Sequence, residues 1–460
     1  MMNPRPRRLM LAIAVTATML VAACGNSGST ASSSSSGGAA SSGSTSSSSV
    51  DLSQKVAITG VPGVTDSEIR YSATGTDSNN PLGNCILTCF ADGVRAYFDW
   101  RNSEGGIWGR KLVLTAPLDD QLGKAQETTL QIISANDTFG TFSAPLVPAG
   151  WPDLANAGIP TYTLAINPTD GQPQIFGNAP ALCFDCSSRA AAWTVKQAGA
   201  KKVAVLGYGI SDNSKVCAEG QKRSVETYSS DIGGASVVYF NNNLDFGLTN
   251  GVGPEVTAMK DAGVDLILSC LDLNGMKTIA TELDRQGIRG SVKMVHPNTY
   301  DQAFVKQAGP LFEGDYVLVS FRPFEATSGS SELTQYHEWM AKAGKQETEH
   351  AMEGWINADL AFQGLAKAGP SFDRQKVVDA SNQQLTAFTA GGLISPIDWS
   401  RQHVAPTEAD PATHGSNPDC FSFVVIKSGA FQVIGDPAKP FECWPGNTRA
   451  WSEPTPTDFQ

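Results

Sequence analysis

Histidine is scarce in this chain: five residues in 460, at positions 296, 337, 350, 403 and 414, with no two at the spacing of a metal site. His337-Glu338-Trp339-Met340-Ala341 begins like a zinc-protease helix but lacks the second histidine. There is no Gly-x-x-x-x-Gly-Lys-Ser/Thr phosphate loop and no Gly-x-Ser-x-Gly nucleophile elbow. Gly207-Tyr208-Gly209 carries Asp212 where a dinucleotide fingerprint requires a third glycine. These absences argue against an enzyme, and no catalytic residue, metal or cofactor is expected. Basic residues are in deficit, 33 Lys and Arg against 45 Asp and Glu, for a net charge of −12. That argues against nucleic acid as a partner. Beyond the amino end, no run is apolar enough to span a bilayer.

The amino end carries Arg5, Arg7 and Arg8, then an apolar run over 9–23, then Cys24. This is the order of a secretory signal, and residues 1–23 are assigned to it. Val21-Ala22-Ala23-Cys24 resembles the bacterial lipobox, in which the cysteine is lipidated and becomes the mature amino terminus; the plainer alternative is a signal with a chance cysteine. Residues 25–50 are almost wholly Ser, Gly, Ala and Thr and cannot bury enough apolar surface to offset their ordering entropy. Residues 24–54 are therefore expected to be a lipidated cysteine and a flexible tether. The body would be extracytoplasmic, anchored by lipid to the outer face of a bacterial cell membrane. Removing 1–23 takes away three arginines and no acid, leaving 30 basic against 45 acidic residues.

Of the 9 cysteines, eight remain once Cys24 is set aside, an even number for an oxidising compartment. Cys85/Cys89 and Cys420/Cys443 are the expected local pairs. Cys183, Cys186, Cys217 and Cys270 form a second set whose pairing stays open. A zinc site on Cys183-x-x-Cys186 is the rival reading, but no second such pair or nearby histidine pair completes it.

The body alternates strand and helix. Residues 67–74 read as a strand, and 90–102 as a helix with Phe90, Val94, Tyr97 and Phe98 on one face. Gly105-Gly106 stops that helix, 111–116 is a second strand and 124–134 a second helix. The stretch 138–167 adds strand, turn, helical segment and strand. Strands at 202–207, 236–240, 266–269, 292–295 and 314–321 then alternate with helices at 188–198, 214–230, 254–262 and 274–286. Helices at 332–343, 351–368 and 375–381 follow, then a hairpin, 420–427 and 430–434, around Ser428-Gly429. The fold class is α/β, with two doubly wound, Rossmann-like lobes on parallel central sheets. Ligands of such sheets bind beyond the carboxyl ends of the strands.

At Gly105-Gly106-Ile107-Trp108-Gly109-Arg110-Lys111 the chain resembles the substrate-binding proteins of ABC transporters, of the leucine/isoleucine/valine-binding, type I periplasmic-binding family. Val64-Thr65-Asp66-Ser67-Glu68-Ile69, Asp119-Asp120 and Gly354-Trp355-Ile356-Asn357-Ala358 carry the same likeness, which covers roughly 64–441. The resemblance implies two lobes joined by a three-strand hinge, with ligand trapped between them by closure. Lobe 1 would comprise 55–179 and 322–393, lobe 2 would comprise 180–321 and 394–450, and 451–460 would be a tail.

The resemblance also implies site residues. A ligand carboxylate would meet Ser143 or Ala144, Ala165 and Asn167 in lobe 1; an ammonium would meet Asp185 in lobe 2. Asp272 and Asn298 stand where the family has a Tyr and a Glu, and with Asn167 they depart from its pattern for a plain aliphatic amino acid. Of the aromatic residues near these loops, Tyr300 and Tyr208 are the candidate ligand contacts, and Tyr300 is taken with the site. Asp185 and Asp272 have the alternative reading of helix N-caps, and Asn298 that of turn chemistry after Pro297. Pro145, Pro148 and Pro152 crowd the turn that would offer N–H groups to an anion, which favours a larger or less charged ligand. The expected function is a monomeric solute-binding lipoprotein that captures a small polar ligand, an amino acid or a related amide or carboxylate. It would deliver this ligand to an ABC permease in the membrane. The alternatives are a sensor signalling to a membrane partner through the same cleft, and a secreted enzyme on the same fold.

Overall fold

The computed structural model describes residues 51–164, 172–178, 186–297, 300–327, 330–403, 407 and 419–459. The first sheet is built from β1 (Glu68–Gly75), β2 (Lys111–Leu114), β3 (Leu118–Asp119), β4 (Gly140–Ala144), β5 (Thr161–Thr163) and β6 (Ile175–Gly177). Its order is β2-β1-β4-β5-β6, with β3 continuing beside the end of β1, and every pairing is parallel. Helices α1 (Leu87–Ser103), α2 (Ala125–Ala135) and α3 (Trp151–Asn156) connect its strands.

The second sheet begins after α4 (Arg189–Ala198). It contains β7 (Lys202–Tyr208), β8 (Ser236–Leu244), β9 (Leu266–Cys270), β10 (Lys293–His296) and β11 (Tyr316–Val319). Helices α5 (Asp212–Thr227), α6 (Gly253–Ala262), α7 (Leu273–Arg285) and α8 (Gln302–Ala308) lie between them. The chain then returns to the first lobe as α9 (Ser331–Ala343), α10 (Glu349–Ala368) and α11 (Arg374–Gln384). It ends in the second lobe as β12 (Asp419–Lys427), β13 (Ala430–Val433), β14 (Phe441–Trp444) and β15 (Thr455–Thr457). The order is β8-β7-β9-β10-β11-β12-β14-β15, with β13 folded back on β12.

β7 shows why this sheet is covered on both faces. Val203 and Val205 join the cluster under α4 and α5, while Ala204 and Leu206 join the larger core on the opposite face; all four are buried. A strand apolar at every position, rather than at alternate ones, is the mark of such a sheet.

The second sheet is parallel from β8 to β11. The expected hairpin around Ser428-Gly429 and its neighbours then add antiparallel pairings, β11–β12, β12–β13, β12–β14 and β14–β15, after the chain re-enters from the first lobe. One expectation for the carboxyl end needs correction: 451–459 is not a tail. β15 pairs with β14, Trp451 packs on Tyr228, and Phe459 packs on Phe441. The residues after β15 are gripped by Arg322, which is fully buried. Its guanidinium bonds Asp458 and donates to the Phe459 carbonyl at 2.6 Å. Arg322 also ties the passage after β11 to the segment after α11, through its N–H to Leu393 O at 2.6 Å and its Nε to Gly392 O at 2.9 Å. Residues 394–403, expected in lobe 2, stay with the first lobe: Ile397 bridges Phe388, Trp399 packs on Phe176, and His403 bonds Asn382.

Within the first lobe, α1 and α10 cross at unusually close range. A Cβ placed on Gly93 would lie 1.8 Å from the Ala351 carbonyl oxygen, and one on Gly354 would lie 2.0 Å from that of Phe90. Only glycine on both helices permits this crossing. It sets the head of α10 beside the ends of β5 and β6, where Asn357 Nδ2 donates to Thr163 O at 3.0 Å. Gly106, at φ 74°, has a similar role in the turn after α1, where a Cβ would meet the Arg110 carbonyl at 2.1 Å. The backbone atoms facing Gly93 cannot swing aside, so Gly93→Ala is expected to cost about 3 kcal/mol or more. Denaturant melts showing a loss below 1 kcal/mol would contradict the crossing described.

Candidate functional site

A cavity of about 360 Å³ lies where the two lobes meet. The first lobe contributes Leu164 after β5, Asn178 after β6, and Glu349 and Glu353 from the first turns of α10. The second lobe contributes a sheet floor of Leu268, Val295, Leu318, Phe421 and Phe423, and a roof of Ala190, Ala191 and Thr194 on α4 and Gln221 and Ser224 on α5. Trp444, Asp419, Arg189 and Arg449 also line it. The exposed wall is more apolar than polar, with polar and charged side chains set into it from both lobes, and the size is within the range that encloses small organic ligands. An adjoining space of about 10 Å³, bounded by Asn84, Cys85, Tyr300, Asp301, Glu349 and His350 among others, has room for little more than one water.

The lobes also touch directly. Asn274, on the first turn of α7, donates its backbone N–H to Leu82 O at 3.3 Å and its amide to Pro81 O at 2.9 Å. Tyr300 N–H approaches Glu349 Oε2 at 3.4 Å.

The residues expected to hold ligand are mostly engaged elsewhere. Ser143, buried at the end of β4, accepts the indole N–H of Trp151 on its Oγ at 3.0 Å, so it faces α3 and does not line the cavity. The Ala144 carbonyl accepts the Thr76 N–H at 3.2 Å. Leu146, a possible backbone donor beside the prolines, gives its N–H to Thr76 Oγ1 at 3.0 Å. Asp272 is the N-cap of α7: its Oδ1 accepts the Gly275 N–H at 3.0 Å and its Oδ2 takes the Tyr208 hydroxyl. Tyr300 donates its hydroxyl to Glu325 at 2.6 Å and accepts the Phe324 N–H at 2.6 Å. Ala165, Asn167, Asp185 and Asn298 lie outside the described residues, as do Cys24 and Cys183. The capping role that competes for Asp185 is held by Ser188, whose Oγ accepts the Ala191 N–H at 3.4 Å.

Disulfides join Cys85 to Cys89 and Cys420 to Cys443, as expected. Cys217 pairs with Cys270, which settles part of the open set, and Cys186 is disulfide-bonded as well. No group of three or more potential metal ligands occurs among the described residues.

What sequence reading missed is the head of α10. Thr348 caps the helix, accepting the Ala351 N–H at 3.2 Å, and Glu349 and Glu353 follow one turn apart on the cavity wall. Glu353 accepts from His350 Nδ1 at 2.6 Å and from Asn178 Nδ2 at 3.4 Å. Burial, then the neighbouring Glu353, pushes the Glu349 carboxyl up to about 8. Burial opposes charge on His350, but Glu353 and Glu349 outweigh it and hold its pKa above the ordinary value. The signal was present in the sequence: like charges four apart on a helix repel, so such a pair near a buried helix head calls for a reason.

A family model described as periplasmic binding protein matches residues 83–414. Among curated protein sequences none matches the chain. Solved structures share the fold over most of both chains. The fatty acid ABC transporter substrate-binding protein from Thermomonospora curvata has a TM-score of 0.64 at 16% identity, covering 84% of this chain and 98% of that one. An ABC transporter solute-binding protein from R. palustris, in complex with 4-hydroxybenzoate, has a TM-score of 0.61 at 17% identity, covering 83% and 98%. A leucine-binding protein from Thermotoga maritima has a TM-score of 0.60 at 15% identity, covering 80% and 98%.

The acid pair sets a pH dependence. Glu349 keeps its proton in the native state up to about pH 8, against an ordinary value of 4.5. Across that window the native state therefore binds more protons than the unfolded chain, and stability falls as pH rises. Glu349→Gln removes this slope. Melting curves from pH 5 to pH 8.5 are expected to show the variant gaining on the wild type as pH rises. Parallel curves would contradict the assignment.

Proposed function

Because the chain belongs to the periplasmic binding protein family, we propose that it is an extracytoplasmic solute-binding protein that encloses an organic solute between its lobes and presents it to the permease of an ABC importer. The observation that carries this reading is the 360 Å³ cavity, walled by residues of both lobes at the place where the chain passes between them. A solute seated there touches both lobes at once, so its binding energy favours their closed arrangement, and a membrane partner can sense that arrangement.

The lining favours a solute with a substantial apolar body over a small polar amino acid. Leu268, Val295, Leu318, Phe421, Phe423 and Trp444 give it a broad apolar wall, and the charged residues divide between the lobes, Glu349 and Glu353 from the first, Arg189, Asp419 and Arg449 from the second. The fold relatives are named for ligands as different as a fatty acid, 4-hydroxybenzoate and leucine, so the lining of this chain has to decide. The amino end completes the proposal: lipid on Cys24 and the Ser/Gly-rich tether over 24–54 would hold a monomeric body within reach of its permease.

The test is to fill the cavity. Mass spectrometry of the purified protein, followed by a thermal-shift panel, identifies the solute, since a ligand of the native state alone raises apparent stability. Ala191→Trp puts an indole into the space from α4 and is expected to weaken binding of that solute by about a hundredfold or more, at little cost in melting temperature. Retention of wild-type affinity by the variant would remove the cavity as the binding site.

A further inference from the structure

The two ends of the cavity differ in charge, and the difference runs opposite to the arrangement implied by the family resemblance. That arrangement has an anion cradle in lobe 1 and an acid in lobe 2. In the structure, the acids Glu349 and Glu353 lie on the lobe 1 side, while the lobe 2 end holds Arg189 and Arg449. The two guanidiniums share Asp419: Arg189 Nη2 lies 3.3 Å and Arg449 Nη1 3.7 Å from its Oδ2. Arg189 is otherwise spent on backbone, donating to Pro445 O at 2.6 Å and approaching Ala450 O at 3.5 Å. Arg449 is not. Its Nε is buried and has no hydrogen-bond partner among the described residues, and Oε1 of Gln221, also in the cavity wall, is buried in the same condition. A buried guanidinium N–H without an acceptor is costly, and an acceptor of opposite charge removes most of that cost.

We propose that the lobe 2 end of the cavity is an anion subsite in which Arg449, backed by Arg189, receives the carboxylate of a monocarboxylate whose apolar body lies between α4 and the sheet. This rests on the cavity being the solute site. The opposite end makes a poorer claim on a cationic group. Glu353 is already met by His350 and Asn178, and Glu349 is held largely protonated at neutral pH by burial and by Glu353.

The test uses three eight-carbon probes of one shape, octanoate, octylamine and 1-octanol, titrated calorimetrically into solute-free mature protein. Octanoate is expected to bind at least about tenfold more tightly than octylamine. Each methylene from hexanoate to octanoate should add about fourfold. Arg449→Gln is expected to weaken octanoate by about tenfold or more while leaving 1-octanol within about twofold, and Arg449→Lys to fall between wild type and Arg449→Gln. Octylamine binding more tightly than octanoate, or an unchanged octanoate affinity in Arg449→Gln, would overturn the anion subsite. Ala191→Trp separates the two readings. If the variant loses all three probes but the wild type shows no charge preference, only the subsite falls; if it binds all three as the wild type does, the cavity itself falls.

Discussion

The two-lobed arrangement depends on a single buried cation. Arg322 sits in the second passage between the lobes with its guanidinium wholly inside the protein. A charge there is tolerable only when its hydrogen-bonding positions are filled, and the acceptors come from far apart in the chain. Gly392 and Leu393 follow α11; Asp458 and Phe459 follow the last strand. Removing one partner of such a buried pair costs about 3–5 kcal/mol, because the charge left behind has nowhere to go. Side chain and backbone of one residue thus tie the passage after β11 to the segment after α11 and to the segment after β15.

The glycine crossing of α1 and α10 is the second constraint. It brings a helix head, with its free N–H groups and positive dipole end, up to the meeting point of the lobes. An acid is favoured in the first turn there, and Glu349 occupies it, with Glu353 one turn further on. Burial then works against charge on Glu349, while His350 and Asn178 bond Glu353. At the other end, arginines outnumber the acid they surround. Much of the wall is apolar, so charges on the two lobes act on the cavity through a medium less polarisable than water. A ligand's orientation can be set by its charge while its affinity comes from its apolar area.

Much of the fold was legible because it is local. The all-apolar β7, the Phe90/Val94/Tyr97/Phe98 face of α1, the Ser428-Gly429 hairpin and the Cys85–Cys89 bridge each lie within a few residues of chain, and each is present as expected. β15 was not legible, since its pairing with β14 depends on a partner across a loop and on Arg322 far upstream. The site was less legible still. Ser143 has the right residue type at the right strand end, yet its hydroxyl faces Trp151, and only the packing of α3 decides that. Asp272 looked equally like a ligand-holder and a cap, and its geometry is that of a cap. Arg189 and Arg449 carry no motif; the sheet brings them together, and nothing in either neighbourhood announces it.

The pairing of β14 with β15 also bears on how the chain reaches this structure. Both lobes are discontinuous in sequence. The first needs α10 and α11, which follow the strands of the second sheet; the second needs β12 to β15, which follow those helices. Neither lobe can therefore close from one contiguous stretch of chain. Each waits for contacts between segments far apart in sequence, and such contacts form late because loop-closure entropy opposes them until they are made.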